Sequence, residues 1–422
     1  MLRYLTSGES HGKSLISILD GIPSNIEINF DEINNELKKR QSGYGRGNRM
    51  KIESDKIEIL GGIRGCITLG SPISISIENK DYENWEKYMN PMKEIDLETK
   101  KVSNVRPGHA DLVGCLKYDF LDARNVLERS SARETASKVA VGAICKQVLK
   151  NFDIEFTSRV LRIGKVEDTG NYEFDFIKEN VDKSIVRVID KSTEEKMIEE
   201  IDYAKENGDS LGGIVEIRVK NSIPGLGSYT QFDRKIDGDL AMHLMSVQAI
   251  KGVEFGIGFD VSKKYGSEVM DEIFYNKEIN KLHKIETDNL HKVKNYDVGN
   301  LNETKNKLGR IERKSNNLGG IEGGMTTGEE IIIRCAMKPI PTLYKPLNSI
   351  NIETKENFIA SVERSDNCAV PACSVVCENV VSFVICKYFL DKIGGDNLKD
   401  LKNNYNLYIK RLKEMGWSNG KN

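Results

Sequence analysis

Residues Ser374 to Ile393, SVVCENVVSFVICKYFLDKI, read as a helix that is apolar nearly all the way round and that stops at Gly394-Gly395. A helix without a polar stripe has no face to give to water, so it belongs inside the protein with other layers around it. The glycine pair supplies its C-cap. No run of 18 consecutive apolar residues occurs, so a core helix is expected and a membrane span is not. Outward from it, strand-like alternation runs through Ile57–Leu60, Ile73–Ile77 and Val215–Val219. Ile331–Cys335 is a shorter apolar run that fits a strand buried on both faces. Helical spacing at Phe30, Ile33 and Leu37 ends before glycines 43, 45 and 47. A second long helix is expected from near Ser131, where Ser131-Ala132-Arg133-Glu134 fits a capping box, to Lys150, and a third from Ile236 through Leu240 and Leu244 to Val247.

These elements do not alternate strand with helix, which argues against a doubly wound parallel sheet. Gly43-Tyr44-Gly45 and Gly256-Ile257-Gly258 both lack the third glycine of a dinucleotide fingerprint. The expected fold class is α+β, with antiparallel sheets and central helices. The stretch 271–317 is rich in Asn, Lys and Glu and reads as a polar surface insertion, partly helical around Ile279, Leu282 and Ile285. Its histidines, His283 and His291, sit among lysines and read as solvated surface. The tail from about 418 is expected to fray.

The 422 residues could make one large domain or up to three average ones, and 39% hydrophobic residues suffice for a core. Lys and Arg number 62 against 64 Asp and Glu, a net charge of −2. The basic excess of a nucleic-acid binder is absent, so no nucleic-acid partner is expected. The eight cysteines form no CxxC pair and no cluster with metal-ligand spacing. They read as small buried hydrophobes kept reduced in the cytosol, and no metal is expected. The opening Met1-Leu2-Arg3-Tyr4-Leu5-Thr6 leads straight into a glycine-rich motif without signal-peptide character, so a cytoplasmic location is expected.

Of five histidines, two have a context that suggests chemistry. His11 lies in Gly8-Glu9-Ser10-His11-Gly12, and His109 in Arg106-Pro107-Gly108-His109-Ala110-Asp111. Glycines let a ligand approach the backbone, and imidazole exchanges a proton near neutrality. From the residues alone each is as well explained by structure as by catalysis; His243, mid-helix, reads as structural. Arginines recur beside Gly and Ser. Arg40, Arg46 and Arg49 surround the loop 43–47, while Arg129 and Arg133 bracket Ser130-Ser131 four residues apart and hence on one helical face. Such a helix start suits a phosphate or carboxylate, or is a capped end with solvated arginines. Arg364-Ser365-Asp366 adds a cation and a carboxylate before the apolar helix. In a nearly neutral chain these clusters suggest a local basic pocket for a small polyanion.

Taken in order, eight blocks resemble the chorismate synthase family over roughly residues 1–395. They are Gly8–Gly12 with Asp20–Pro23, Arg40–Gly47, Arg106–Asp111, Arg129–Ala136, Gln248–Gly252, Gly319–Gly324, Lys338–Thr342 and Arg364–Glu378. The resemblance implies one α+β domain over residues 1–422, central helices sandwiched between antiparallel sheets, and a homotetramer. It implies a 1,4-elimination of phosphate from 5-enolpyruvylshikimate-3-phosphate to give chorismate, dependent on reduced FMN with no net redox change. His11 would then protonate or hydrogen-bond the flavin, His109 would assist the departing phosphate, and Asp366 would help carry the ring proton away by way of the flavin.

By the same resemblance the flavin falls to Arg129, Ser130, Ser131, Gln248, Ala249, Gly323, Lys338, Pro339, Ile340, Pro341, Thr342 and Arg364. Arg40 and Arg46 match positions assigned to NADPH and could equally hold substrate anions with Arg49, Arg106 and Arg133. Whether the protein reduces its own FMN with NADPH or depends on a separate flavin reductase stays open. A rival of another class, an FMN-dependent oxidoreductase with net hydride transfer, would share the flavin site but consume NADPH at each turnover. The insertion at 271–317 is longer than expected for bacterial relatives, and residues 377–379, Cys-Glu-Asn, stand where smaller apolar neighbours of the glutamate are expected.

Overall fold

The computed structural model describes residues 1–46, 55–276, 310–345, 347–360 and 366–417. Two antiparallel sheets enclose a helical layer. The first contains β1 (Arg3–Ser7), β2 (Ser14–Asp20), β3 (Ile57–Gly61) and β4 (Ile73–Glu78), in the order β1-β2-β4-β3. The second contains β5 (Glu155–Ile163), β6 (Val166–Glu167), β7 (Gly213–Lys220), β8 (Ile250–Phe255) and β9 (Ile331–Met337), in the order β8-β9-β7-β5-β6. Between them lie α1 (Phe30–Gln41), α2 (Thr135–Lys150), α3 (Ile236–Met245) and α4 (Val370–Ile393). The α2 helix packs on the first sheet, α4 on the second, and the two helices pack on each other. The mixed fold of central helices between antiparallel sheets is the one expected.

The α4 helix shows why. Val375, Val376, Val380, Val381, Phe383, Val384, Ile385 and Phe389 are all buried, so apolar side chains face both α2 and the sheet. Two of its buried hydroxyls bond to backbone carbonyls: Ser374 Oγ donates to Pro371 O at 2.7 Å, and Ser382 Oγ to Gly142 O at 2.9 Å. Gly142 permits the close crossing, because a Cβ there would stand 2.1 Å from Asn379 O. Length and mean hydropathy of 1.6 would let this helix cross a membrane, yet 83% of that window is buried in the protein. Gly394, at φ 68°, ends it as expected.

The strand expectations at Ile57, Ile73 and Val215 hold. The reading of Ile331–Cys335 as buried on both faces does not: Ile331, Ile333 and Cys335 are buried while Ile332 and Arg334 are half-buried, because only one face joins the main core. Asn29 caps α1, accepting from Asp31 N and Glu32 N. At residue 131 the chain departs from the expected helix. Ser131 is extended (φ −61°, ψ 143°), a single tight turn Ala132–Glu134 follows, and α2 begins at Thr135. The capping box is half made: Ser131 Oγ accepts from Arg133 N at 3.3 Å, but Glu134 accepts from Thr6 Oγ1 and Gln248 Nε2 instead of turning back.

The flanks of the 271–317 stretch pair as an antiparallel ladder, Ile273–Asn276 with Arg310–Arg313, and Asp271 accepts from Ser315 Oγ, Asn317 N and Leu318 N. The expected helix around Ile279, with His283 and His291, lies outside the described residues, as does the tail from 418. Of the cysteines, seven are buried as expected; Cys66 is exposed, at φ 65° in a surface turn.

Candidate active site

His11 lies in the connection from β1 to β2. Gly8, at φ +102°, is required there because a Cβ would stand 2.3 Å from Ser14 O. His11 Nδ1 is 2.9 and 3.1 Å from the two Glu128 carboxylate oxygens, and His11 N donates to Glu128 Oε2 at 2.8 Å. Glu128 belongs to α5, Arg124–Ser130, and is buried. Burial would raise its carboxyl, but hydrogen bonding and charge from His11, then Arg124, hold it below the ordinary range.

A buried ion network fixes the same loop from below. Asn79 Nδ2 donates to Glu9 O at 3.1 Å and Gly12 O at 2.7 Å. Its Oδ1 accepts from Arg133 Nε at 2.8 Å, and Arg133 Nη1 reaches Asp55 at 2.6 and 2.7 Å. Arg40 Nη1 shares Asp55 at 3.3 Å and donates through Nε to Thr135 Oγ1 at 2.9 Å. Burial, then repulsion from Arg133 and Arg46, outweighs Asp55 and brings the Arg40 guanidinium down to about 10, still charged at neutral pH. Arg133 and Arg40 therefore spend much of their hydrogen-bonding capacity on protein partners.

The expectation that Arg129 and Arg133 share a helical face is corrected. The break at Ser131 sends Arg129 to Gly8 O (3.2 Å) and Thr6 O (2.9 Å), while Arg133 turns to Asp55. Ser130 Oγ donates to Val126 O at 2.9 Å. Both serine hydroxyls keep hydrogen-bonding capacity for a ligand.

His109 precedes α6, Asp111–Tyr118, and its Nδ1 is 2.5 Å from Asp111 Oδ1. Asp111 also accepts from Arg106 Nε at 2.8 Å and Nη2 at 3.1 Å, and Arg106 Nη1 donates to Thr342 Oγ1 at 3.1 Å. Burial would raise Asp111, but His109 and Arg106 hold it far below the carboxylate range. This segment thus meets Lys338–Thr342 in space: Lys338 Nζ is 3.9 Å from the position of a Cβ on Gly108. Burial, then repulsion from Lys251, lowers the Lys338 ammonium. Two neighbouring lysines suit a polyanion.

Lys338 N donates to Ala249 O at 2.9 Å. Ala249 sits at φ +72°, a strained conformation for a residue with a Cβ. Gln248 Nε2 donates to Glu134 Oε2 at 3.2 Å, while its buried Oε1 has no protein partner. Gly323, at φ +59°, has no atom within 4 Å of a Cβ position. Asp366 pairs with Arg46, Nη1 to Oδ2 3.0 Å, as Gly45 O accepts from Asn367 N. Arg49 and Arg364 lie outside the described residues. Among the described residues no group of three His, Cys, Asp or Glu side chains is placed to hold a metal ion.

Sequence reading missed Glu128, Asp55, Asn79 and Trp85. The available signal was modest: an acidic residue directly before Arg129-Ser130-Ser131, with Arg124 one turn upstream. His243 is structural as read, its Nδ1 2.9 Å from Asp239 O.

The arrangement can bind a compact polyanion and move protons at two imidazoles. A family model described as chorismate synthase matches residues 2–390. The chain belongs to the chorismate synthase family. The chorismate synthase of Alkaliphilus metalliredigens (strain QYMF) is 54% identical over 411 residues, spanning 97% of this chain and 99% of that protein. That of Staphylococcus aureus (strain Newman) is 49% identical over 405 residues, spanning 95% and 97%. A crystal structure of chorismate synthase superposes with a TM-score of 0.73 at 37% identity, covering 98% of each chain. Chorismate synthases are lyases, and this chain is an enzyme of that class.

Proposed function

We propose that this enzyme converts 5-enolpyruvylshikimate-3-phosphate to chorismate by 1,4-elimination of phosphate, dependent on reduced FMN and without net redox change. The observation that carries the reading is the pairing of two histidines with two buried carboxylates, His11 with Glu128 and His109 with Asp111. A run of contacts joins them, from Arg129 and Thr6 through Glu134, Gln248, Ala249 and Lys338 to Gly108.

Each residue then has a task. An ionised Asp111 accepts from His109 Nδ1–H, which leaves Nε2 to hydrogen-bond or protonate the departing phosphate. Arg106, braced between Asp111 and Thr342, and Arg46, against Asp366, contribute positive charge for the carboxylates and phosphate, with Arg40, Arg49 and Arg133 as further substrate-side cations. Asp366 takes part in removing the ring proton that leaves with phosphate. His11 holds a proton on the flavin side.

The residues fit a flavin: the Gln248 Oε1 acceptor lacks a protein partner, Ala249 is strained, and Gly323 leaves room against its backbone. Arg129, Ser130, Ser131, Gln248, Ala249, Gly323, Lys338 to Thr342 and Arg364 would hold it. When bound and reduced, it would lend the electron density that helps the bond to phosphate break. NADPH as reductant at Arg40 and Arg46, or a separate flavin reductase, belongs to the same reading, as does a homotetramer. Eight free cysteines support a cytoplasmic setting, and a main core cluster reaching from Leu2 to Leu401 supports a single domain.

The test is anaerobic: protein, chemically reduced FMN and substrate, with phosphate and chorismate both measured. Catalytic release of both with no flavin oxidised is expected. Chorismate no higher than in a no-enzyme control overturns the reading, and stoichiometric flavin oxidation points to net hydride transfer.

A further inference from the structure

His11 is held on two sides. In its plane, the Glu128 carboxylate takes both the imidazole Nδ1 and the His11 backbone N–H. On its face, the Trp85 indole stacks with centroids 3.9 Å apart and planes 22° apart. Trp85 comes from the helix Tyr82–Met89 and is itself fixed, its Nε1 donating to Asp81 Oδ2 at 3.1 Å. The charged groups around the pair come from separate segments: Arg124 bonds Glu128 at 3.3 Å and lies 5.2 Å from the Trp85 ring centroid, and Lys100 lies 5.1 Å from it. Ser10 N donates to Glu128 O at 3.0 Å, tying the loop to the same helix turn.

A carboxylate held below its ordinary range can only accept, so the proton between it and the ring belongs on Nδ1. Free imidazole has no such constraint and distributes its proton between both nitrogens. A stacked indole blocks rotation of the ring about its χ2 bond while leaving its edge open.

We propose that Glu128 and Trp85 are positioning residues that lock neutral His11 in the Nδ1–H tautomer with a fixed ring plane, so that Nε2 is its proton-exchanging atom. The proposal rests on the reading of His11 as the flavin-side proton carrier. Both act through His11, which each of them contacts directly.

The experiment is nitrogen-15 spectroscopy of the histidine-labelled full-length protein above neutral pH. With five histidines in the chain, the His11 signals are assigned by their loss in His11→Asn. Wild type is expected to show His11 protonated on Nδ1. Glu128→Ala is expected to shift it toward the Nε2–H form and to lower kcat about tenfold or more, with the substrate KM changing much less. Glu128→Gln presents an amide that can accept from Nδ1 or donate to it, so it should give a mixed tautomer and a kcat between those of Glu128→Ala and wild type. Trp85→Phe should hold the ring better than Trp85→Leu, seen as a narrower His11 signal. An Nε2–H tautomer in wild type overturns the proposal without any variant at Glu128, and so does a folded Glu128→Ala with unchanged tautomer and kcat. If the tautomer moves as expected while His11→Asn turns over at the wild-type rate, the positioning stands and the proton-carrier reading of His11 falls.

Discussion

His109 Nδ1 and Asp111 Oδ1 are 2.5 Å apart, and the same carboxylate takes two nitrogens of the Arg106 side chain. Arg106 Nη2 also lies 3.1 Å from His109 Nδ1, but two N–H donors cannot bond each other. The shorter contact decides: the imidazole proton sits between His109 and Asp111, and Arg106 braces the acceptor. Asp111 is therefore the part that orients both a histidine and an arginine.

Replacing Asp111 with Asn removes the charge and gives His109 an amide that can donate or accept. Turnover should fall on the order of 10²-fold or more, the lower end of what a positioned acid or base supplies. His109→Ala should lose turnover while still binding FMN. Steady-state kinetics and flavin titration separate the two effects, and an Asp111→Asn enzyme with wild-type kcat would remove the orienting role.

Acid stability follows from the buried carboxylates. Burial alone would raise Glu36, but Lys146 at 2.6 Å and Lys39 outweigh it and bring it from 4.5 to about 2. Asp111 and Glu128 are lowered in the same sense. A folded value below the unfolded one contributes stability that is present above about pH 4.5 and is lost as pH falls toward 2. Urea midpoints should fall steadily across that window. Glu36→Gln should show a shallower fall and, at pH 7, a stability lower by at least about 1 kcal/mol; equal slopes in both proteins would contradict the assignment.

Gly142→Ala tests the crossing of α2 and α4. Helix propensity by itself favours alanine by about 1 kcal/mol. The added Cβ, however, would stand 2.1 Å from Asn379 O, which is backbone and cannot swing away. Overpacking of this kind costs about 1–3 kcal/mol, so the net sign should be destabilising. A thermal melt that rises on substitution would show that the helices can separate at little cost.

Gln248→Leu tests the buried acceptor. Removing Oε1 should weaken FMN binding roughly tenfold, the equivalent of about 1.4 kcal/mol. Glu134 also loses its Gln248 donor but keeps Thr6 and Lys138, so the fold should persist. Calorimetric titration with FMN gives the answer, and unchanged affinity would dissociate Gln248 from the flavin.

The α4 helix was legible from its own residues because burial on all sides leaves no polar stripe, and composition over 20 residues records that directly. The strands at Ile57, Ile73 and Val215 were legible because apolar residues alternate with polar ones, although at Val215–Val219 the polar partners Glu216 and Arg218 are buried too, bonded to each other and, through Glu216, to Arg159. Arg3–Ser7 and Ser14–Asp20 carry the same alternation with a weaker apolar contrast, since Leu5 and Ile18 lie on the exposed face. The ladder of Ile273–Asn276 with Arg310–Arg313 left no periodic trace, because neither strand buries a residue.

By itself the sequence determined which side chains stand in glycine-flanked, ordered blocks: His11, His109, Asp366 and the arginines near them. Only the tertiary structure decided what those side chains are bonded to. Glu128 stands 117 residues from His11, and Asp55 stands 78 from Arg133. The extended backbone at Ser131 parts Arg129 from Arg133 although their spacing matches one turn of helix. The physical reason is that spacing along a chain reports neighbours only within a single regular element. Partners that hold a proton or neutralise a buried charge are chosen by packing between elements.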